Sequence, residues 1–360
     1  MSKMLGPTSA TRGIMGLLEV DPFRRYREAS ARTRASLDEL LSKEIAAYAS
    51  EDTSLVVFGS LARGEWTAGS DLDWTYLIDG QANSDHLRIS QKIQEVLEEA
   101  HYLPPGGTGI FGNMAFSHDI IHQIGGQSDT NRNTTQRILL LLESHPIGGR
   151  TQAHERVLRA VISRYLEEDT HPLTHDSKKY RVPRFLLNDI VRFWRTMAVD
   201  FASKQRYRGG KGWGLRNAKL RMSRKLIFAA GLLVCFSANL DPALQSEISN
   251  EKNDIKLKLA NHLRNQLVVT PLEILARSIE QYRVPEATAK KLFGAYAEFL
   301  ELLDDERSRE SLKNLRSEKS RTDEVFQKVR QFGGGFERAL NDIFFENPSI
   351  APLTRKYGVF

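Results

Sequence analysis

The stretch from residue 54 to residue 78, SLVVFGSLARGEWTAGSDLDWTYLI, decides the fold of this chain. Residues 54–58 form a short apolar run that is typical of a buried strand, and the run ends at Gly59-Ser60. Residues 61–64 can form a helical turn, and residues 65–70 are a loop that contains Gly69. Residues 71–78 alternate polar and apolar side chains at their start, which predicts a second strand.

The spacing of polar residues in this stretch suits a site for a nucleotide. Gly59 allows close approach of a ligand to the backbone, and Ser60 offers a hydroxyl and an N–H to phosphate oxygens. Residues i and i+2 of a strand share a face, so Asp71 and Asp73 are expected to project together. Two adjacent carboxylates repel each other, and divalent cations relieve that repulsion. The pattern therefore predicts two Mg²⁺ ions, with Mn²⁺ as a substitute, held beside a triphosphate.

With its ten-residue spacer between Gly59-Ser60 and Asp71-Leu72-Asp73, the segment resembles the head motif of the polymerase-β nucleotidyltransferase superfamily. The resemblance implies a small mixed sheet, an NTP substrate and a third carboxylate on a later strand. Arg63 and Ser70, inside the spacer, are expected to contact the nucleotide as well.

Three acids are candidates for the third carboxylate. Glu143 is favoured because it ends the apolar run at residues 138–142, which is interpreted as a central strand. Asp129 lies between Gly125-Gly126 and Thr130-Asn131 and is typical of a loop or a helix cap, and Asp119 falls in a predicted helix. The choice between Glu143 and Asp129 stays open, because periodicity cannot separate a short buried strand from a buried helix.

After residue 150 the strand patterns mostly end and helical patterns dominate, with a charged region at residues 306–347 that is interrupted by three glycines, 333–335. The predicted fold class is α+β: a small mixed-sheet head followed by a mainly helical domain. The predicted divisions are an N-terminal helical segment (1–50), the nucleotidyltransferase head (51–150), a basic helical domain that completes the nucleotide cleft (151–240) and a C-terminal helical region (241–360). This order resembles bacterial nucleotidyltransferases of the PII-uridylyltransferase type.

Positive charge is concentrated in residues 178–225, which carry fifteen Lys and Arg against two acids, although the whole chain has a net charge of only +6. Such asymmetry indicates an anionic partner. Arg216, Lys219 and Ser223 have the spacing of one helix face and are expected to contact phosphates, with Arg192 and Arg195 as a second set. A loop at residues 205–213 contains arginines, glycines, Tyr207 and Trp213, which favours a possible RNA contact.

The remaining features exclude several classes of protein. A single cysteine, Cys235, cannot form an internal disulfide, which favours a reducing cytoplasm. The most apolar stretch, residues 226–236, is too short to span a bilayer, so no membrane partner is expected. His118 and His122 lie one helical turn apart, but the sequence offers no evident third ligand for zinc.

Two functions fit these observations. The first is a metal-dependent transfer of a nucleoside monophosphate from an NTP to a hydroxyl of a protein, a tRNA or a small molecule, with release of pyrophosphate, in a toxin or a signalling modifier. The second is a nucleotide-sensing or RNA-binding regulator with the same fold and no turnover. The pair Asp71 and Asp73 favours the enzyme, because a phosphate binder has no need of two adjacent carboxylates.

Overall fold

The computed structural model describes residues 13–45, 50–106, 109–169, 171–175, 179–207, 210–250 and 254–358. Its sheet has four strands: β1 (Thr53–Phe58), β2 (Trp74–Ile78), β3 (Asn113–Phe116) and β4 (Ser144–Ile147). The strand order is β3-β2-β1-β4. Strand β1 is antiparallel to β2 and β4, whereas β2 and β3 are parallel, so the sheet is mixed as predicted.

Both faces of the sheet are covered, which follows from the alternation of side chains along β1. Leu55 and Val57 face a smaller core with side chains of the first and third helices. Val56 and Phe58 face the larger core, which continues through the helical part of the chain as far as Leu353. The head therefore shares its main core with the helices that follow it. The divisions of the chain at residues 50, 150 and 240 stay a prediction.

The helices account for most of the described residues, and the α+β class is confirmed. Those of the first half are α1 (Phe23–Glu44), α2 (Gly59–Ala62), α3 (Asp85–Glu99), α4 (Ser117–Ile121), α5 (Asn131–Leu142), α6 (Gln152–Glu168) and α7 (Arg184–Tyr207). Those of the second half are α8 (Trp213–Lys219), α9 (Lys225–Leu240), α10 (Pro242–Asn250), α11 (Ile255–Leu267), α12 (Pro271–Gln281), α13 (Glu286–Asp304), α14 (Glu306–Asn314), α15 (Glu324–Asn341) and α16 (Ala351–Leu353).

The predicted strand at residues 138–142 is wrong, because these residues belong to α5, which ends at Leu142. Thr130 caps this helix by accepting a hydrogen bond from the Asn133 N–H, so the helix begins seven residues before the apolar run. The run is buried on every side, which removes the 3.6-residue alternation that would have identified a helix. Glu143 consequently lies at the C-terminal end of a helix, directly before β4.

Two smaller predictions also need correction. Strand β2 begins at Trp74, so Asp71 and Asp73 lie in the segment leading into the strand. Residues 333–335 do not interrupt a helix but lie within α15. A Cβ atom added at Gly335 would lie 3.8 Å from the Ala295 Cβ, so this glycine packs closely on α13. Three consecutive glycines weaken a helix, but tertiary packing of α15 on α13 compensates for that cost.

The apolar helical stretch Trp213–Glu247 is long and apolar enough to cross a membrane by length and composition. However, 67% of its most apolar window is buried inside the fold, as in the core helix of a folded domain. The stretch contains one turn of π-helix, Leu220–Arg224, between α8 and α9. Turns of this kind are often found at functional sites, and this one lies beside the carboxylates described next.

Candidate functional site

The site begins where β1 ends and the chain turns sharply into α2. Gly59 makes this turn with a φ of 68°, a left-handed conformation that glycine adopts easily. A Cβ atom at this position would lie 3.2 Å from Asp73 Oδ2, so a larger side chain would also press on that carboxylate. Position 59 therefore favours glycine for two reasons, its left-handed backbone conformation and the lack of space for a side chain. The structure brings the Gly-Ser turn into contact with Asp73. Ser60 follows at the first turn of α2 and is half-buried, with its hydroxyl unused by other described residues.

Asp71 and Asp73 are held by backbone hydrogen bonds on both sides. The Phe58 N–H donates to the Asp73 carbonyl (2.9 Å), which continues the pairing of β1 with β2. Between the two acids, the Leu72 N–H donates to the Leu103 carbonyl (2.9 Å), and the Leu72 side chain is buried in the smaller core. Leu72 therefore anchors the segment while both carboxylates remain on the other side.

The two carboxylates differ in their electrostatic surroundings. Burial and the negative charge of Asp71 raise the pKa of Asp73 to about 7. Burial alone would also raise the pKa of Asp71, but the positive charges of Lys219 and Arg309 outweigh it and lower that pKa. The pair carries uncompensated repulsion at Asp73, which is the situation that a bound cation relieves.

The basic helical segment reaches this pair through Lys219. Its Nζ lies 3.5 Å from Asp71 Oδ1, so α8 ends beside the carboxylate pair, and the predicted contact of Lys219 with phosphate stays a prediction. The π-turn Leu220–Arg224 follows Lys219 directly and ends at Arg224, a second cation in electrostatic reach of the acids. Arg224 lies close enough for the charges of Asp71, Asp73 and Glu143 to raise its pKa, although burial lowers that pKa overall. Its Nη1 is buried and has no hydrogen-bond partner among the described residues.

Other residues predicted to bind nucleotide make contacts within the protein. Ser223 is buried and its hydroxyl donates to the Lys219 carbonyl (3.3 Å), while Arg216 Nη1 donates to the Lys211 carbonyl (2.6 Å). The Ser70 hydroxyl is buried in the spacer and lies 3.0 Å from Thr67 Oγ1. The predicted helix face of Arg216, Lys219 and Ser223 missed Arg224, the residue that follows Ser223 in the π-turn.

Arg63 lies in a buried group that we call the Arg63 cluster, composed of Arg63, Glu65, Glu143 and Tyr296. Arg63 Nη2 lies 2.7 Å from Glu65 Oε2, and its Nη1 forms an ion pair with Glu143. The Tyr296 hydroxyl, which comes from α13, donates to Glu65 Oε1 (3.0 Å). Burial would lower the pKa of Arg63, but the charges of Glu65 and Glu143 raise it well above its usual value. Glu143 also adds to the rise in the pKa of Asp73, so this cluster borders the site.

Asp129, the alternative third acid, belongs to a different group that we call the Arg137 cluster: Arg137, Asp129, Asp189 and Tyr165. Arg137 Nη2 lies 2.9 Å from Asp129 Oδ2 and 2.6 Å from Asp189 Oδ2, and Arg137 is completely buried. The predicted phosphate-binding residue Arg192 also pairs with Asp129 (3.0 Å). The structure therefore places Glu143 where its charge acts on Asp73, whereas Asp129 belongs to a cluster that joins helices α5, α6 and α7.

The donor set at Asp71 and Asp73 fits a divalent cation. Both side chains supply the carboxylate oxygens that Mg²⁺ prefers, and the charge repulsion between them disfavours two bare carboxylates. Within the described ranges no three acid, histidine or cysteine side chains are arranged as a ready metal site. The ion pair of Glu143 with Arg63 accounts for this, since it directs the third acid to a guanidinium.

The lesser candidates lie away from this site. His118 and His122 have ring centroids 5.1 Å apart, and both are exposed on or next to the short helix α4, as is Asp119. Arg195 is exposed on α7. In the loop expected to grip RNA, Arg208, Gly209 and the side chain of Tyr207 lie outside the described residues, and Trp213 packs against Phe326 with ring centroids 4.9 Å apart. Lys178, in the predicted basic segment, also lies outside the described residues.

Comparison with known families agrees with this geometry. Residues 39–106 match the family model described as a nucleotidyltransferase domain. This part of the chain is therefore a nucleotidyltransferase domain of the polymerase-β-type superfamily, and the family supports transfer of a nucleoside monophosphate in general terms. No curated protein matches the chain. The similarity to PII uridylyltransferases stays a prediction.

Proposed function

We propose that this protein is a metal-dependent nucleotidyltransferase that moves a nucleoside monophosphate from an NTP to an acceptor hydroxyl. One observation carries the proposal: Asp73 Oδ2 lies 3.2 Å from the position of a Cβ on Gly59. A glycine turn that can approach phosphates is thus in direct contact with a carboxylate pair that can hold a cation. Phosphoryl chemistry needs both at once, because the triphosphate carries several negative charges beside the acids.

Each part of the site has a role in this proposal. Asp71 and Asp73 hold Mg²⁺, or Mn²⁺, and Glu143 completes the set when Arg63 releases it. When bound, the metal ions neutralise charge on the phosphates and favour loss of the acceptor proton. Gly59 and Ser60 receive phosphate oxygens. Lys219 and Arg224 face the acids and are positioned to bind phosphates. Arg216 and Ser223 support the helix that carries these two cations.

The reaction forms one bond and breaks one. The acceptor oxygen attacks the α-phosphorus, and the bond from that phosphorus to the oxygen bridging to the β-phosphate breaks. Pyrophosphate leaves with the electron pair of that bond. The proton of the acceptor hydroxyl passes to a carboxylate of the pair, and the positive charges of Lys219 and Arg224 stabilise the departing pyrophosphate.

The test is incorporation of label from each α-labelled NTP with Mg²⁺ or Mn²⁺, in the presence of bulk tRNA, cell lysate or neither. We expect label to enter one acceptor class and to disappear in Asp73→Asn, which keeps the shape of the side chain and removes its charge. Asp119→Asn is the matched control, because Asp119 is an exposed acid on α4. Failure of all four nucleotides in every mixture, or equal label in Asp73→Asn, contradicts the enzymatic proposal.

A second candidate function is a nucleotide-binding regulator without turnover. The ion pair between Arg63 and Glu143 favours it, since the third acid faces a guanidinium. In that case NTP binds, Asp73→Asn binds it more weakly or equally, and no pyrophosphate is released. Release of pyrophosphate by the wild-type protein rejects this candidate.

The proposed acceptor and cellular setting are specified only as classes. The acceptor is a hydroxyl of a protein, a tRNA or a small molecule, and the labelled product identifies which. An RNA acceptor fits the basic segment at residues 178–225. A toxin predicts growth arrest on expression that Asp73→Ala relieves. A cytoplasmic location fits the single buried cysteine, since burial holds the pKa of the Cys235 thiol far above its usual value.

A further inference from the structure

Arg309 lies far from the head in sequence but close to the site in space. It belongs to α14, and its guanidinium lies against Gly69, two residues before Asp71. A Cβ on Gly69 would be 2.8 Å from Arg309 Nε and 3.0 Å from its Cζ. The absence of a side chain at residue 69 therefore makes room for this guanidinium at the edge of the carboxylate pair.

The surroundings of Arg309 leave part of its hydrogen-bonding capacity unused. The residue is only 8% exposed, and its Nη1 donates to the Leu303 carbonyl at a long 3.4 Å. Its Nε is buried and has no partner among the residues that the structure describes. A buried guanidinium N–H without a partner is costly, so such a group needs an explanation. The Nε faces Gly69 and has no accessible surface, so an oxyanion in the cleft would offset this cost by bonding the Nη atoms of the same guanidinium.

A second cation, Lys219, also lies near Asp71. Lys219, from α8, is 3.5 Å from the Asp71 carboxylate, and the positive charges of both Lys219 and Arg309 act on that acid. Helices α8 and α14 are packed tightly, because the Gly212 N–H donates to the Lys313 carbonyl (2.9 Å) and a Cβ on Gly214 would lie 2.8 Å from the Leu312 carbonyl oxygen. The two cations are consequently held at a fixed separation by backbone contacts.

We propose that Arg309 is a nucleotide-binding residue that contacts the triphosphate of the NTP from the C-terminal helical region. This inference rests on the proposed function and adds to it a cation that no sequence motif marks. Arg309 and Lys219, whose charges both act on Asp71, together bind the β- and γ-phosphates. The C-terminal helices are then part of the nucleotide cleft itself.

The experiment compares binding of an NTP and of the corresponding NMP by titration calorimetry with Mg²⁺, on the full chain. Because charge-assisted hydrogen bonds to phosphate are strong, Arg309→Ala should weaken NTP binding by about 10- to 100-fold and NMP binding by less than about 2-fold. Arg309→Lys keeps the charge and should lose less. Arg307→Ala is the matched control, because Arg307 is an exposed arginine on the same helix. We expect its affinity for NTP to equal that of the wild type.

A second variant protects the test against misfolding of Arg309→Ala. Gly69→Ala leaves the arginine in place but pushes its guanidinium away, so it should weaken NTP binding in the same direction, and a thermal melt reports whether each variant is folded. Equal NTP affinity in folded Arg309→Ala or Gly69→Ala, or an equal loss for NTP and NMP, overturns the assignment of Arg309. If the wild-type protein binds no NTP, the proposed function fails and this inference fails with it. If the wild type binds NTP and the variants bind equally, only the inference fails.

Discussion

The Arg63 cluster and the Arg137 cluster are built from the same three kinds of group. Each has a buried arginine between two carboxylates, with a tyrosine hydroxyl bonded to one of those acids. They differ in location. The Arg137 cluster joins α5, α6 and α7, and each of its groups has a partner within it. The Arg63 cluster borders Asp73, and its Glu143 changes the pKa of that acid.

The comparison teaches that a buried ion pair gains a functional role from its neighbours rather than from its own geometry. Charges in a fully paired cluster stay fixed, because separating them exposes a bare charge to a low dielectric. Glu143 can change partners because a cation at Asp71 and Asp73 would offer it a second positive charge. We therefore expect mutations in one cluster to change chemistry and matching mutations in the other to change stability.

The largest expected effect separates the two candidate third acids. Glu143→Gln should lower the turnover number by about 100-fold or more, because loss of a metal ligand weakens both metal binding and charge stabilisation. Asp129→Asn, the matched change in the Arg137 cluster, should leave turnover within about 3-fold in the protein that remains folded. Pyrophosphate release under saturating NTP measures both. An equal loss in the two variants would break the distinction between the clusters.

The next effect concerns stability. Arg137→Met leaves Asp129 and Asp189 buried without their cation, so it should lower the free energy of unfolding by about 3–5 kcal/mol. Urea unfolding followed by circular dichroism gives this value. Arg63→Met is the counterpart, and we expect it to lower turnover as well as stability. A stable Arg137→Met protein would show that the Arg137 cluster does not hold the helices together.

His154 lies outside both clusters, and its titration decides the pH at which the stabilities of the cluster variants should be compared. Burial and the charge of His145 lower the pKa of His154 to about 4, and its Nε2 lies 2.8 Å from Ser144 Oγ. The unfolded chain binds this proton near pH 6.5 and the folded chain does not, so stability falls as the pH falls from about 6.5 to about 4. The loss from this group is on the order of 3 kcal/mol.

Urea unfolding of the wild type and of His154→Gln at pH 7 and pH 5 tests this dependence. The variant should lose less stability between the two pH values, because glutamine does not titrate. Equal slopes in the two proteins would assign the pH dependence to other groups. The cluster variants are best compared above pH 7, where His154 is neutral in both states.

The smallest effect distinguishes the two tyrosines. The Tyr165 hydroxyl accepts from Arg137 Nε (2.6 Å) and donates to Asp189 (2.5 Å), whereas the Tyr296 hydroxyl donates to Glu65 alone. Tyr165→Phe should therefore cost about 2 kcal/mol of stability and Tyr296→Phe about 1 kcal/mol. Only Tyr296→Phe should also alter the KM for NTP. The reverse order of the two stability losses would contradict this reading of the clusters.

Much of the head was predictable from the sequence because its signals are local. The apolar strands, the glycine turn and the two aspartates all lie within 25 residues, and the structure places Gly59 against Asp73 as the spacing predicts. Lys219, predicted from its spacing with Arg216 and Ser223 to contact phosphate, lies beside Asp71, and its contact with phosphate stays a prediction. The α+β class followed from the change of periodicity near residue 150.

The rest depends on contacts that a sequence does not display. The fully apolar run before Glu143 has no periodicity, so a helix was taken for a strand. The π-turn at Leu220–Arg224 departs from the 3.6-residue spacing on which the predicted face of Arg216, Lys219 and Ser223 rests. Arg309 and Tyr296 contact the head although they lie more than 200 residues away from it in the sequence. A single residue that makes room for such a contact, such as Gly69, forms no sequence pattern that could be recognised.

The hydrogen bond from Tyr296 to Glu65 has a consequence for how the protein is made. The chain emerges from the ribosome N-terminus first, so the strands of the head emerge long before α13 does. Until then Glu65 lacks its tyrosine, and the acids of the head face water. The nascent chain thus carries the complete Gly-Ser and Asp-x-Asp motif without a complete cleft. If the proposals for the site are correct, competence for nucleotide arrives late in translation, when the C-terminal helices dock.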